Sequence, residues 1–177
     1  MGINRCLAAV VVYHPNWEEL CANIQSYPQG IEKTLIVANS PLDANQQSYL
    51  QSQGIHLIQN LDNKGVAAAL NQAAELALTE GFEWLLTMDQ DSRFGPTKSN
   101  ALAQAMHLAP PRTAAIGVES LKTPETVPRF VLVSFLLQSG TLFHLPTWRA
   151  LGGFKESLFI DAVDHEYCLR AKKAGYR

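Results

Sequence analysis

The sequence predicts an α/β protein, with a largely parallel sheet covered by helices on both faces. Three observations carry that prediction. Short apolar runs rich in Val, Ile and Leu alternate with segments of helical periodicity through the first half of the chain. Each run stops at polar or turn-forming residues, as buried parallel strands do. The composition is globular: 177 residues, 47% hydrophobic and 17% charged, enough for one domain with its own core.

The first run, CLAAVVVY over 6–13, reads as a strand. It is too short to span a membrane, and no small-residue cleavage site follows it. His14-Pro15-Asn16 breaks it. Asn16 reads as a helix N-cap, with Glu19 three residues on as in a capping box, and Trp17, Leu20, Cys21 and Ile24 then form a helical stripe. KTLIVAN (33–39) is the second strand, ending at Asn39-Ser40-Pro41. The polar segment 42–53 reads as a short surface helix, and GIHLIQN (54–60) as a shorter third strand. A turn over 62–65 leads into the strongest helix, 66–80, rich in Ala and Leu and closed by Gly81. FEWLLTM (82–88) is the fourth strand.

The second half is less regular. It predicts a helix near 97–107, a proline-containing loop at 108–112 and a short strand at 114–118. A long apolar stretch, 129–145, is interrupted by Ser139-Gly140. Pro146 opens a short helix that Gly152-Gly153 ends, and an amphipathic helix over 161–175 stops at Gly175. No repeat, low-complexity tract or linker divides the chain, so residues 1–177 read as one domain.

A formal net charge of −2 with no basic stripe beside the aromatics excludes nucleic acid as a partner. Cys6, Cys21 and Cys168 are unclustered and read as free thiols packed in a reducing compartment. The five histidines show no i, i+4 pairing, and no G-x-S-x-G elbow appears.

Ligands of parallel sheets gather beyond the carboxyl ends of the strands, where Tyr13, Asn39, Asn60 and Asp89 fall. Asp89-Gln90-Asp91 follows the fourth strand. Two carboxylates at i and i+2 suit Mg²⁺ or Mn²⁺ completed by substrate phosphates, and they equally suit a polar turn. An EF-hand fails, because Arg93, Phe94 and Asn100 occupy its required positions. A dehalogenase-like phosphatase using Asp89 as nucleophile stays as an alternative, with Arg93 where such enzymes usually carry Thr or Val. Asp161, Asp164 and Glu166 sit at a helix start. Asp161 fits an N-cap with Asp164 at N3, and Asp164 also fits a general base towards a hydroxyl. The segment DNKGVAAALNQA (62–73) places a glycine turn at a helix N-terminus, which suits either a phosphate or ribose oxygen or an ordinary Asn cap.

Taken in order, VVVYHP (10–15), LIVANS (35–40), DNKGVAAALNQA (62–73), LLTMDQDS (85–92), LQSGTLF (137–143) and GGFKESLFIDAVDHEYCLRAKKAGYR (152–177) resemble the family-2 glycosyltransferases, in their rhamnosyltransferase-like branch. The resemblance implies a GT-A-type nucleotide-sugar-binding fold. It implies a nucleoside diphosphate sugar as donor, rhamnose being the sugar the branch suggests, and a glycan or lipid-linked acceptor. A divalent cation, Mg²⁺ or Mn²⁺, would bridge Asp91 to the diphosphate, with Asp89 near the ribose or the metal. Tyr13, Pro15, Asn39 and Ser40 match the nucleoside pocket, and Asn63, Gly65 and Asn71 the segment beside the donor. Ser139 and Gly140 match the acceptor side. Asp164 matches the catalytic base of an inverting transfer, supported by Glu166 and Arg170. Such an enzyme works in the cytoplasm, peripherally at the inner face of the membrane. Two departures stand out. Ala38 replaces the family's usual Asp before Asn39-Ser40, which alters the contact to the base. Family members also continue past Arg177, so the resemblance implies a catalytic domain truncated at its C-terminus, and a non-catalytic nucleotide-sugar-binding remnant is the second reading.

Overall fold

The computed structural model describes residues 5–117 and 130–177. Four strands form the parallel part of the sheet: β1 (Cys6–Val12), β2 (Ile31–Ala38), β3 (His56–Gln59) and β4 (Trp84–Asp89). Two more complete it: β5 (Ala115–Gly117) and β6 (Thr141–His144). The strand order is β3-β2-β1-β4-β6-β5, with β6 antiparallel to both of its neighbours. The helices are α1 (Trp17–Gln25), α2 (Ala44–Ser52), α3 (Gly65–Thr79), α4 (Pro96–Leu108), α5 (Leu145–Ala150) and α6 (Val163–Lys173), with a 3-10 turn over Glu156–Leu158.

Side chains of a strand alternate between faces, and the two cores follow that alternation. Leu7, Ala9, Leu35, Val37, Leu85 and Phe143 pack against α3, α5 and α6. Ala8, Val10, Val12, Ile36, Leu86, Met88 and Leu142 face the other way, towards Leu20 of α1, Leu50 of α2 and Leu102 of α4. Helices therefore cover both faces, as the sequence predicts. Three aromatic rings centre the α3 side: Phe143 lies edge-on to Phe154 at 5.0 Å and to Tyr167 at 5.2 Å. Among the described residues the three cysteines are free, and burial pushes the Cys6 thiol up to about 12, as an inert core residue requires.

Local chemistry explains the boundaries. Asn16 caps α1 by accepting the Glu19 N–H at 3.3 Å. Asp43 and Gln46 form a full capping box that starts α2, a signal the sequence reading passed over. The apolar stretch expected over 129–145 behaves differently from a buried strand. Only Thr141–His144 pairs in the sheet, while Val131, Leu132, Val133, Phe135 and Leu137 are exposed in irregular backbone. Val118 and Arg129, at the margins of the expected strand and stretch, lie outside the described residues. Among the described residues no helix is long and apolar enough to cross a membrane.

Phe143 is wholly buried at the junction of β6, α6 and the loop after α5. Phe143→Ala is expected to cost about 3–5 kcal/mol, read as a lowered urea midpoint.

Candidate active site

The sheet changes winding direction between β1 and β4, where open α/β sheets place their ligands. Gln90 spans that point. Its Oε1 accepts the Tyr13 N–H at 2.8 Å, and its Nε2 donates to the Tyr13 carbonyl at 3.3 Å. Asn23 of α1 donates to the Asp89 carbonyl at 2.6 Å. Tyr13 itself is half-exposed beside the cleft, and the following backbone is fixed when the His14 N–H donates to Ser40 Oγ at 2.7 Å. Pro15 then leads the chain into the Asn16 cap.

The next strand ends are tied by amides. Asn39 Nδ2 donates to the Gly65 carbonyl at 3.1 Å, and its Oδ1 accepts from Asn60 Nδ2 at 2.9 Å. Asn60 and Gln72 exchange two hydrogen bonds of 2.9 and 3.0 Å. Asn39 and Asn60 are buried, so these bonds satisfy groups that would otherwise be costly. At the start of α3 the Gly65 N–H donates to Asn63 Oδ1 at 2.9 Å, and the Ala67 N–H donates to the Phe159 carbonyl at 3.1 Å. The expected Asn cap is not formed: Lys64 holds the cap position with no side-chain cap bond, and Asn63 instead accepts from the Gly65 N–H two residues on. Gly65 is required there: its φ is +78°, and a Cβ would lie 2.6 Å from the Phe159 carbonyl oxygen.

β6 runs opposite to β4, so its amino end meets the carboxyl end of β4. That register brings Ser139 and Gly140 to Asp89. The Asp89 N–H donates to Ser139 Oγ at 3.0 Å, and the Gly140 N–H donates to the Thr87 carbonyl at 2.8 Å. Gln138 donates from Nε2 to Asp89 Oδ1, and from its backbone N–H to Asp164 Oδ2 at 3.1 Å. Asp164 Oδ1 accepts from the His165 backbone N–H at 2.8 Å and lies 2.9 Å from His165 Nδ1. Phe135 stacks on the His165 ring at 4.4 Å.

Three carboxylates thus share one region. The Asp89 carboxyl is held above the usual aspartate range by partial desolvation and then by Asp91; the Ser139 hydroxyl opposes the shift, and Asp164 adds to it. Among the described residues no lysine or arginine forms an ion pair with Asp89, Asp91 or Asp164. Nor does any group of three His, Cys, Asp or Glu stand close enough to hold a metal alone. Two carboxylates with mutual repulsion to relieve are the donor set that Mg²⁺ or Mn²⁺ shares with substrate phosphates, so Asp89 and Asp91 fit such an ion.

Other expected residues do structural work. Asn71 clamps the loop after α5: Nδ2 donates to the Phe154 carbonyl and to Glu156 at 2.9 Å each, and Oδ1 accepts the Phe154 N–H at 2.8 Å. Arg170 pairs with Glu166 at 2.6 Å and donates to the carbonyls of Leu151 and Gly153. The hydrogen bond from Arg170, with its charge, holds the Glu166 carboxyl below the usual range. Asp161 is not the cap of α6. Ala162 takes that position with φ 60°, no side chain caps the helix, and Asp164 is its second residue rather than its third. Two depressions, of about 330 and 560 Å³, lie elsewhere, against α2–β3 and at the amino edge of the sheet beside Trp84 and His144. Neither is lined by Asp89, Asp91 or Asp164. Gln90, Gln138 and His165 escaped the sequence reading; their position next to the motif residues was the available signal.

The sequence matches the family described as Glycosyl transferase family 2 over residues 3–123. This chain belongs to that family. A dTDP-rhamnosyl transferase, RfbF of Shigella flexneri, is 25% identical over 203 residues, covering 95% of this chain and 63% of the relative. S. aureus TarS 1–349 in complex with UDP-GlcNAc superposes with a TM-score of 0.62 at 16% identity, over 94% of this chain and 53% of that one. GalNAc-T7 with UDP, GalNAc and Mn²⁺ gives 0.72 at 12% identity, over 97% and 41%. The fold is therefore GT-A-type, and this chain spans less than two thirds of the length of these relatives. Family membership leaves no support for the phosphatase alternative at Asp89.

Two expectations follow from this geometry. Gly65→Ala should cost about 2 kcal/mol or more, measured by urea unfolding. Asp89→Asn should raise the melting temperature slightly at neutral pH. A carboxyl whose folded pKa is raised costs stability when ionised, so the gain should fade as pH falls through that raised pKa into the ordinary aspartate range.

Proposed function

We propose that this glycosyltransferase moves a sugar from a nucleoside diphosphate sugar to an acceptor hydroxyl, with inversion and with Mg²⁺ or Mn²⁺ at Asp91 and Asp89. The observation that carries this reading is the gathering of Asp89, Asp91 and Asp164 at the carboxyl edge of the sheet, with Gln138 donating to Asp89 and to Asp164. The ligands named for TarS and GalNAc-T7 support a nucleotide-sugar donor, and the Mn²⁺ named for GalNAc-T7 supports a divalent ion. The name of the Shigella relative supports rhamnose as the sugar.

Bound at this pair, the cation would offset charge on the departing diphosphate. The chain's own residues do the rest. Tyr13, exposed beside β1, stands where a base and ribose would lie, on a wall made by Pro15, Asn39 and Ser40. Asn63 and Gly65 shape the donor side by fixing the start of α3, and Asn71 fixes the loop beneath it. Asp164, held by the Gln138 and His165 N–H groups, takes the proton of the acceptor hydroxyl. One displacement with no covalent intermediate inverts the anomeric carbon. Ser139 and Gly140 form the acceptor side next to Asp89, and Glu166 with Arg170 holds the helix that carries the base. The acceptor is a glycan or lipid-linked glycan, met in the cytoplasm at the inner face of the membrane.

Calorimetry with UDP- and dTDP-sugars, with and without Mn²⁺, tests the binding half. Binding should require the metal, and Asp91→Ala should weaken it by at least about tenfold. Asp164→Asn should keep binding and lower transfer by roughly 10²–10⁴-fold. No nucleotide binding by the parent chain with metal present would remove the proposal; binding with no transfer to any acceptor would leave the non-catalytic remnant.

A further inference from the structure

We infer that Gln138 is a positioning residue for the transfer reaction, joining the carboxylate on the metal side, Asp89, to the carboxylate that acts as base, Asp164. The inference rests on the proposed glycosyl transfer and names a residue of the LQSGTLF stretch to which the resemblance assigns no role.

The bonding of Gln138 is the argument. Its backbone N–H donates to Asp164 Oδ2 at 3.1 Å. Its carbonyl accepts the Thr141 N–H at 3.2 Å and the Thr87 hydroxyl. Its side-chain amide donates to Asp89 Oδ1. One residue thus ties together β4, the start of β6 and the first turn of α6, the three elements that carry the centre. Phosphoryl-activated sugar transfer depends on holding base and leaving-group site in a fixed relation, because misplacement of about 1 Å costs orders of magnitude in rate.

The remaining polar atom sharpens the case. Gln138 Oε1 is buried with no hydrogen-bond partner among the described residues. Turning the amide over would set that oxygen against Asp89 Oδ1, acceptor against acceptor, so Asp89 dictates the orientation and Oε1 is left unpaired. An unpaired buried oxygen is unfavourable. A residue kept for packing would be Leu or Met, which fill the space without that cost. The chemistry of the side chain also fits the charge at the site. An amide steadies Asp89 without cancelling its charge, so the carboxylate pair stays attractive to a cation. Lys or Arg would neutralise it, and Glu would add a fourth negative charge.

The test uses Gln138→Met in the whole chain, which preserves volume and every backbone bond while removing the side-chain donor. Donor and acceptor kinetics are measured with Mn²⁺, alongside thermal unfolding. The expected result is a kcat lowered by about tenfold or more, a donor KM within about threefold of the parent, and an unchanged melting temperature. Binding of Mn²⁺ in the presence of nucleoside diphosphate, followed by electron paramagnetic resonance, should weaken by about threefold or more. A variant with the parent kcat and the parent Mn²⁺ affinity overturns the inference. So does a loss of rate that tracks a lowered melting temperature and a raised KM, which marks a purely structural role. If the parent chain itself neither binds nucleotide nor transfers sugar, the proposed function fails first, and the inference falls with it; that outcome is read on the parent alone.

Discussion

The antiparallel pairing of β6 with β4 sets the position of everything at this site. Four strands run parallel and would, by themselves, leave Asp89 at an open end of the sheet. Because β6 runs the other way, Thr141 pairs with Thr87, and the residues just before β6 arrive beside Asp89. The far end of β6 passes directly into α5, and the chain returns through the Gly152-Gly153 loop to α6. Asp164 then faces Gln138 from across the cleft. One reversed strand therefore converts a strand end into a cleft with two sides.

The two sides differ in how they are built. One side is backbone held by amides: Gln90 on Tyr13, Asn39 on Gly65, Asn60 on Gln72. The other is held by an ion pair and its surroundings, with Arg170 bound to Glu166 and to the carbonyls of Leu151 and Gly153. Between them stand carboxylates that no lysine or arginine pairs with among the described residues. The Arg170–Glu166 pair shapes the loop, and the centre is left negative.

Much of this was legible in the sequence. β1, β2, β4 and α3 announce themselves by run length and periodicity, and their order fixes which residues end up at the carboxyl edge. Asp89, Asp91 and Asp164 were legible from spacing and chain order. What failed did so for physical reasons. Asp161 read as the cap of α6, yet Ala162 takes that place with φ 60° and no side chain caps the helix; the apolar stretch over 129–145 gave no strand boundary, and of its described residues Thr141–His144 pair in the sheet. The protein partners of Asn39 and Asn71 could not be read from sequence, because amides serve equally well inside a protein and against a ligand. Gln90 and Gln138 stayed silent because glutamine carries no charge or spacing signature, and only the pairing of distant strands reveals what it touches.

The amide frame has a consequence for how the molecule meets its surroundings. Asn and Gln neither gain nor lose protons across the accessible pH range, and bonds between neutral groups are little screened by salt. The lattice of Asn39, Asn60, Gln72 and Gln90 thus keeps its shape while the carboxylates it surrounds change charge. Acid and ionic strength therefore act on the carboxylates and on the Arg170–Glu166 pair, while the amide-held side keeps its shape.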